Sequence, residues 1–394
     1  MRQTIILRSS WQVVNIGDIA HTPGLLAILE KYMPQTQVVL WPSKDFTVEV
    51  EDMICRRFPQ LKVVKGTIGE DGKASNEELQ MALDESSFLL HGSGPLLVGR
   101  DEAEAYVKFY KKPFGVFGIT YGGYNEGEWC REIHSLAKFI YFRDSVSLQK
   151  AIQDGVSSPV MKFGPDAAFA VDLENDAKAE VFLRENKLEP GKFLCCISRH
   201  RYTPYWEIKD WPYDADKDAF NQQMKEQDNA PLREAIIQVV RKTGLKVLLC
   251  PEDKSQMAFE KEMIYDLLPE DVLPNVVYKS EFWLTDEAVS VYRQSAGLFG
   301  SEMHSPIMCI GSGIPAIVCR WEGQTTKGFM WRDIGLGDWL FDQDQEAEMS
   351  RLVPAVLDMA IHNEAAKEKA LAAKQKVEKL YVEMVDTLKN CLNA

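Results

Sequence analysis

Residues 4–41, TIILRSSWQVVNIGDIAHTPGLLAILEKYMPQTQVVLW, hold the pattern that decides the fold. A short apolar run at 4–8 reads as a strand. A polar turn containing Asn15-Ile16-Gly17-Asp18 follows. Residues 23–32 read as a helix, with Thr22-Pro23 as its N-cap and first position. A second apolar run, Val38-Val39-Leu40-Trp41, then reads as a strand. Strands that are apolar along their whole length, joined through helices, are the mark of a parallel sheet covered on both faces.

The same unit recurs outward from this stretch. Strands are expected at 61–64, 88–91, 114–119, 139–142 and 160–163, with helices near 46–57, 75–84, 102–111 and 145–153. A polar stretch near 172–191 interrupts the series. It restarts with strands at 193–198, 246–251, 275–278, 297–300 and 315–319. Helices are expected at 231–243 and near 255–267, 285–293 and 305–312. Residues 202–230, rich in Trp, Tyr, Asp and Pro, read as an inserted loop. Residues 346–390 read as helical, with Val377, Leu380, Met384 and Leu388 at three- and four-residue steps. The expected fold class is α/β. It has two Rossmann-like lobes, 1–175 and 190–345, facing each other across a cleft, and C-terminal helices at 346–394.

Composition limits the function. The chain has 394 residues, enough for two proper cores. Its net charge of −14 argues against gripping nucleic acid by bulk charge, so no nucleic-acid partner is expected. An anionic substrate would need a local basic pocket. The eight cysteines form no C-x-x-C pair, and several lie inside apolar runs. They read as reduced core thiols of a cytoplasmic protein. No stretch approaches the length of a membrane span, which leaves at most peripheral membrane contact.

Ligands of open α/β sheets sit beyond the carboxyl ends of strands. Five clusters lie there. Asn15, Gly17 and Asp18 follow the first strand, where Asp18 either meets a ligand or only caps the turn. Gly92, Ser93 and Gly94 follow the strand at 88–91. Two glycines there would let a ligand approach the backbone, although neither a Walker loop nor a dinucleotide fingerprint is present. Gly118, Tyr121, Gly122 and Gly123 form a similar turn. Arg143-Asp144-Ser145 and Gly164-Pro165-Asp166 follow later strands; Ser145 reads as a helix cap, and Arg143 as an ion-pair partner of Asp144 or Asp166. Arg199 and Arg201 flank His200 at the end of the second lobe's first strand, a patch suited to phosphate or carboxylate. Glu302 and His304 precede an apparent Ser305-Pro306 helix start, and Lys327 offers a further cation.

The order of these motifs, with Gly155-Val156, Pro165 to Phe169 and Gly313-Ile314-Pro315, resembles the polysaccharide pyruvyl transferase family over roughly residues 10–340. The resemblance implies a fold like that of GT-B glycosyltransferases. It implies transfer of the enolpyruvyl unit of phosphoenolpyruvate to a sugar, usually as a ketal on two hydroxyls, with loss of phosphate. The acceptors are cell-surface polysaccharides or their lipid-linked precursors. For that chemistry His304 suits the acid, Glu302 or Asp18 the base, and Arg199, Arg201 and Lys327 the anion-holding groups. No cofactor is implied beyond phosphoenolpyruvate as donor substrate, and no metal-ligand cluster is visible.

One departure stands out. Where the family commonly carries Arg-Leu-His, this chain has Glu302-Met303-His304. A carboxylate in place of a cation favours an alternative: a GT-B-like glycosyltransferase in which Glu302 binds the ribose of a sugar nucleotide. A second alternative is a non-catalytic glycan-binding protein using Tyr202, Tyr205, Trp206, Trp211 and Tyr213, which otherwise read as a packed loop.

Overall fold

A computed structural model describes residues 3–122 and 128–393. Gly123 of the post-strand turn lies outside the described residues. The chain forms two wholly parallel sheets. The first contains β1 (Thr4–Ser9), β2 (Gln37–Pro42), β3 (Lys62–Val63), β4 (Phe88–His91), β5 (Phe114–Ile119), β6 (Ile140–Phe142) and β7 (Met161–Phe163), in the order β3-β2-β1-β4-β5-β6-β7. The second contains β8 (Phe193–Ile197), β9 (Lys246–Leu249), β10 (Val276–Tyr278), β11 (Gly297–Gly300), β12 (Ala316–Arg320) and β13 (Leu340–Asp342), in the order β10-β9-β8-β11-β12-β13. The central strands are buried on both faces, as their unbroken apolar runs require. The order reverses between β1 and β4 and again between β8 and β11, and a crevice opens at each such switch point.

Four local expectations change. The first helix runs Ile16–Tyr32 and places Pro23 inside it. Asn15, read as a turn residue, is its N-cap: Oδ1 accepts hydrogen bonds from the N–H groups of Gly17 (2.7 Å) and Asp18 (3.2 Å). Thr22 is therefore no cap. Its hydroxyl bonds those of Ser9 and Ser10, both at 2.8 Å. Secondly, much of the 202–230 stretch is helical rather than an inserted loop. A short helix at Tyr205–Ile208 leads to a 29-residue helix, Ala215–Thr243, started by the Asp214 side chain and ended by Gly244 at φ 69°. Its first half is mostly solvated, so it shows no apolar period, and Pro231 looked like a start when it lies mid-helix. Thirdly, Asp144, not Ser145, caps the helix Ser145–Gln153 by accepting from Ser147 N–H at 2.7 Å. Finally, β13 extends the second sheet beyond β12.

The C-terminal helix Asn363–Asn393 returns to the first lobe. Tyr381 donates to the backbone oxygen of Asp166 at 2.5 Å, Tyr141 and Thr387 share a hydrogen bond at 2.7 Å, and the Gln3 side chain donates to Leu392 O at 3.0 Å. Among the described residues, no helix is long and apolar enough to cross a membrane.

Between the lobes lies the 3₁₀ turn Ala167–Ala170. The first helix packs on one side of it and the helix His304–Gly311 on the other, each through a glycine. A Cβ at Gly24 would fall 2.0 Å from Ala167 O, and one at Gly311 would fall 1.9 Å from Phe169 O. Both contacts are with backbone, which cannot swing aside. Gly24→Ala and Gly311→Ala should therefore each destabilise the fold by about 1–3 kcal/mol or more, read as a lower thermal midpoint. Unchanged midpoints would show that the turn has room to move.

Candidate active site

The two switch points face each other, and the joint between them is built from backbone. Ile16 N–H donates to Glu252 O at 2.9 Å, Lys254 N–H donates to Val14 O at 3.1 Å, and the Thr285 hydroxyl donates to Ile16 O at 2.8 Å. The start of the first helix is thereby pinned to the segment after β9. Gly17 permits the closest approach, because a Cβ there would lie 2.0 Å from His304 Cβ.

His304 is the first residue of the helix His304–Gly311, and the cap of that helix comes from elsewhere. Glu252 Oε2 accepts from Ser305 N–H at 2.6 Å, while Oε1 faces His304 Nδ1 at 3.2 Å and Asn15 Nδ2 at 3.4 Å. A buried carboxylate at a helix N-terminus is favoured by the unpaired N–H groups there. The other ring nitrogen, His304 Nε2, is buried without a hydrogen-bond partner among the described residues. Burial, then the nearby Lys327 and His21, push the His304 imidazolium well below the usual histidine range.

His21 lies one turn along the first helix from Asp18. Its Nδ1 bonds Asp166 Oδ1 at 2.7 Å, its Nε2 stands 3.7 Å from Asp18 Oδ1, and its ring meets that of His304 edge-on at 5.0 Å. Burial alone would lower its pKa, but Asp166 and Asp18 raise it above the usual value. Burial likewise opposes ionisation of Asp18. The close approach of His21 and the charges of His304, His21 and Lys327 outweigh that and hold it well below the carboxylate range. Gln12 Nε2 donates to the second Asp18 oxygen. Asp166 is held ionised by His21 and by Arg143, whose Nη1 lies 2.8 Å away. Arg143 is thus an ion-pair partner of Asp166, one of the two carboxylates expected.

The expected cations divide. Arg199 reaches the site but is paired there: Nη1 donates to Glu302 Oε2 at 2.9 Å, and Nη2 to Thr203 Oγ1 at 3.0 Å. The second Glu302 oxygen accepts from Gln256 Nε2 at 2.6 Å. Burial raises the Glu302 pKa, with Arg199 opposing. Arg201 does not supply a free charge. It grips Asp228 with Nε and Nη2, both at 2.8 Å, and also pairs with Asp344 at 2.7 Å. Lys327, half-buried on the turn Thr326–Phe329, has no hydrogen-bond or ion-pair partner among the described residues. Its ammonium is nevertheless felt by Asp18, Glu302 and His304. Burial, then Arg143, lower its own pKa. Beside it, both side-chain polar atoms of Gln324 and the Thr325 hydroxyl are buried without partners among the described residues.

The glycine turn at 92–94 is structural in this arrangement. A Cβ at Gly92 would lie 2.6 Å from Ser9 Oγ, and one at Gly94 would lie 2.8 Å from Trp11 Nε1. Ser93 Oγ donates to Phe117 O at 2.7 Å and accepts from Ala167 N–H at 2.9 Å. These glycines admit neighbouring side chains, which corrects the expectation that they expose backbone to a ligand.

Glu252, Gln256 and His21 were missed in the sequence. Glu252 does follow a strand, so the strand-end rule could have found it. His21 was hidden by starting the helix at Pro23; a start at Ile16 would have put Asp18 and His21 at i, i+3 on one face.

Arg201→Met should cost about 3–5 kcal/mol of stability, because it leaves Asp228 buried and unpaired. Urea unfolding checks this, and a loss below 1 kcal/mol would return Arg201 to the list of anion-holding residues.

Comparison with known proteins agrees with the architecture. The chain superposes on S. aureus MnaA bound to UDP with a TM-score of 0.62 at 12% identity, covering 99% of this chain and 97% of that one. For UDP-GlcNAc 2-epimerase from Neisseria meningitidis bound to UDP-GlcNAc the score is 0.58 at 11% identity, covering 98% and 100%. For Anabaena HepE in complex with UDP and glucose it is 0.59 at 9% identity, covering 98% and 100%. At such identities the likeness establishes the two-lobed GT-B-like fold. No curated protein sequence matches the chain. The family model for polysaccharide pyruvyl transferase matches residues 15–323, from the Asn15 cap past Glu302 and His304. The chain therefore belongs to the polysaccharide pyruvyl transferase family, and is a transferase.

Proposed function

We propose that this transferase moves the enolpyruvyl group of phosphoenolpyruvate onto a pair of sugar hydroxyls as a ketal, in the building of a cell-surface polysaccharide. The observation that carries the reading is the meeting in one cleft of buried His304 Nε2 and Lys327, both without partners among the described residues, with the ionised Asp18.

In the proposed reaction His304 gives a proton to the methylene carbon of the donor, and the double-bond electrons form the new C–H bond. The adjacent carbon becomes a cation stabilised by its oxygen, and one sugar hydroxyl attacks it while losing its proton to Asp18. The second hydroxyl then attacks the same carbon as its bond to phosphate oxygen breaks, passes its proton back to His304, and closes the ketal as phosphate leaves. A donor phosphate beside Lys327 would offset two things that depress His304, namely burial away from countercharge and the lysine's own field. The side-chain atoms of Gln324 and Thr325, unpartnered among the described residues, offer further hydrogen bonds to the donor.

Glu302 is a poor base in this setting, since Arg199 and Gln256 occupy its two oxygens. The same pairing weakens the sugar-nucleotide alternative, whose ribose clamp it would have been. The aromatic segment is better suited to the acceptor. Tyr205 and Trp206 are half-buried, whereas Trp211 and Tyr213 are 57% and 62% exposed; Trp211 meets Tyr205 tilted at a centroid distance of 4.7 Å and Tyr213 meets Trp206 edge-on at 5.4 Å. Lys209 on this segment reaches Asp45 of the first lobe at 3.6 Å, so the exposed rings belong to a segment that joins the two lobes.

The test is phosphate release from phosphoenolpyruvate in the presence of candidate glycan or lipid-linked acceptors. Release is expected only with acceptor present. Release of UDP from UDP-sugars, with none of phosphate from phosphoenolpyruvate, would refute the reading. Lys327→Met should raise the KM for phosphoenolpyruvate about tenfold or more, because it removes one charge-assisted contact to the donor. An unchanged KM would remove Lys327 from donor capture.

A further inference from the structure

The first helix and the His304 loop bring three potential ligand atoms together: an Asp18 carboxylate oxygen and ring nitrogens of His21 and His304, all within 4.8 Å of one another. Ligands around a tetrahedral ion with bonds of about 2.0–2.1 Å stand about 3.4 Å apart, so modest side-chain rotation would suffice.

The hydrogen bonds behind the two rings aim them at a common point. Asp166 accepts from Arg143 and from Ala168 N–H as well as facing His21 Nδ1, so it is a carboxylate and the His21 proton belongs on Nδ1. Glu252 accepts from Ser305 N–H and faces His304 Nδ1 in the same way. Once neutral, each imidazole turns a lone pair inward at Nε2, so an ion there takes the place of a proton on His21, and both Nε2 atoms are buried without a hydrogen-bond partner among the described residues. A carboxylate behind each histidine is the arrangement that orients metal-bound imidazoles and raises their basicity. The third group, Asp18, is itself steadied by Gln12. Nitrogen and oxygen donors of this kind suit zinc, cobalt or iron better than magnesium or calcium.

We propose that Asp18, His21 and His304 bind one divalent first-row transition-metal ion, through the carboxylate and the two Nε2 atoms. The ion site rests on this geometry alone. One consequence rests on the donor reading above: an ion on His304 Nε2 displaces the proton that residue delivers, so the ion inhibits pyruvyl transfer.

The test uses the untagged full chain, dialysed against chelator and titrated with CoCl₂ without donor. The expected result is one ion per chain, visible absorption stronger than that of aqueous cobalt, and displacement by ZnCl₂. Asp18→Asn and His21→Gln should each weaken binding about tenfold or more, with circular dichroism and thermal unfolding reporting that both variants stay folded. Absence of the cobalt bands overturns the proposal. So do binding unchanged in both variants and a sulfur-to-cobalt charge-transfer band, which would place the ion on cysteine. Phosphate release measured in chelator separates the two readings. Turnover without cobalt binding sinks the ion site alone, and cobalt binding without turnover of phosphoenolpyruvate sinks the donor reading alone.

Discussion

One buried carboxylate holds the cleft together. Glu252 sits in the second lobe after β9, yet its oxygens face Asn15 of the first lobe, the His304 ring and the Ser305 N–H in the first turn of that helix. A charge taken out of water is tolerable only when its oxygens are satisfied. Here the groups that satisfy it are the ones the site needs in place. The cap of the first helix, the orientation of the His304 ring and the approach of the two lobes are therefore one constraint. Gly17 is part of it, because any side chain there would push His304 away.

The electrostatic plan of the cleft follows from how the arginines are used. Arg143, Arg199 and Arg201 each face a buried or nearly buried carboxylate at hydrogen-bond distance. Each pair removes charge from solvent while keeping planar, directional contacts. Lys327 has no such partner among the described residues, and a compact ammonium on a flexible stem can follow a ligand. In an acidic chain this division leaves a small amount of usable positive charge, placed beside the two imidazoles. The family's Arg-Leu-His pattern would have put another cation where Glu302 now stands. In this chain Glu302 serves instead to hold Arg199 and Gln256.

Much of the fold was legible because parallel strands buried on both faces must be apolar along their length, and helices must separate them. The strand ends therefore located Asp18, Arg199, Glu302 and His304 in advance. What sequence did not show has physical causes. Pro23 looked like a helix start, but the capping power of Asn15 set the true start seven residues earlier. Helix Ala215–Thr243 was obscured because its first half is largely solvated and needs no apolar period. Arg201 looked like an anion ligand because the carboxylates that neutralise it, Asp228 and Asp344, are distant in sequence. Glu252 and His21 act only through partners supplied by the other half of the chain.

The return of helix Asn363–Asn393 to the first lobe also bears on how the molecule is made. Tyr381 closes over the backbone of Asp166, and Gln3, just before the first strand, meets Leu392. Domains generally fold as units during synthesis, the N-terminal one first. In this chain the half translated first is finished last. Its packing waits for the ribosome to pass residue 390, by which time the second lobe is already out and free to fold.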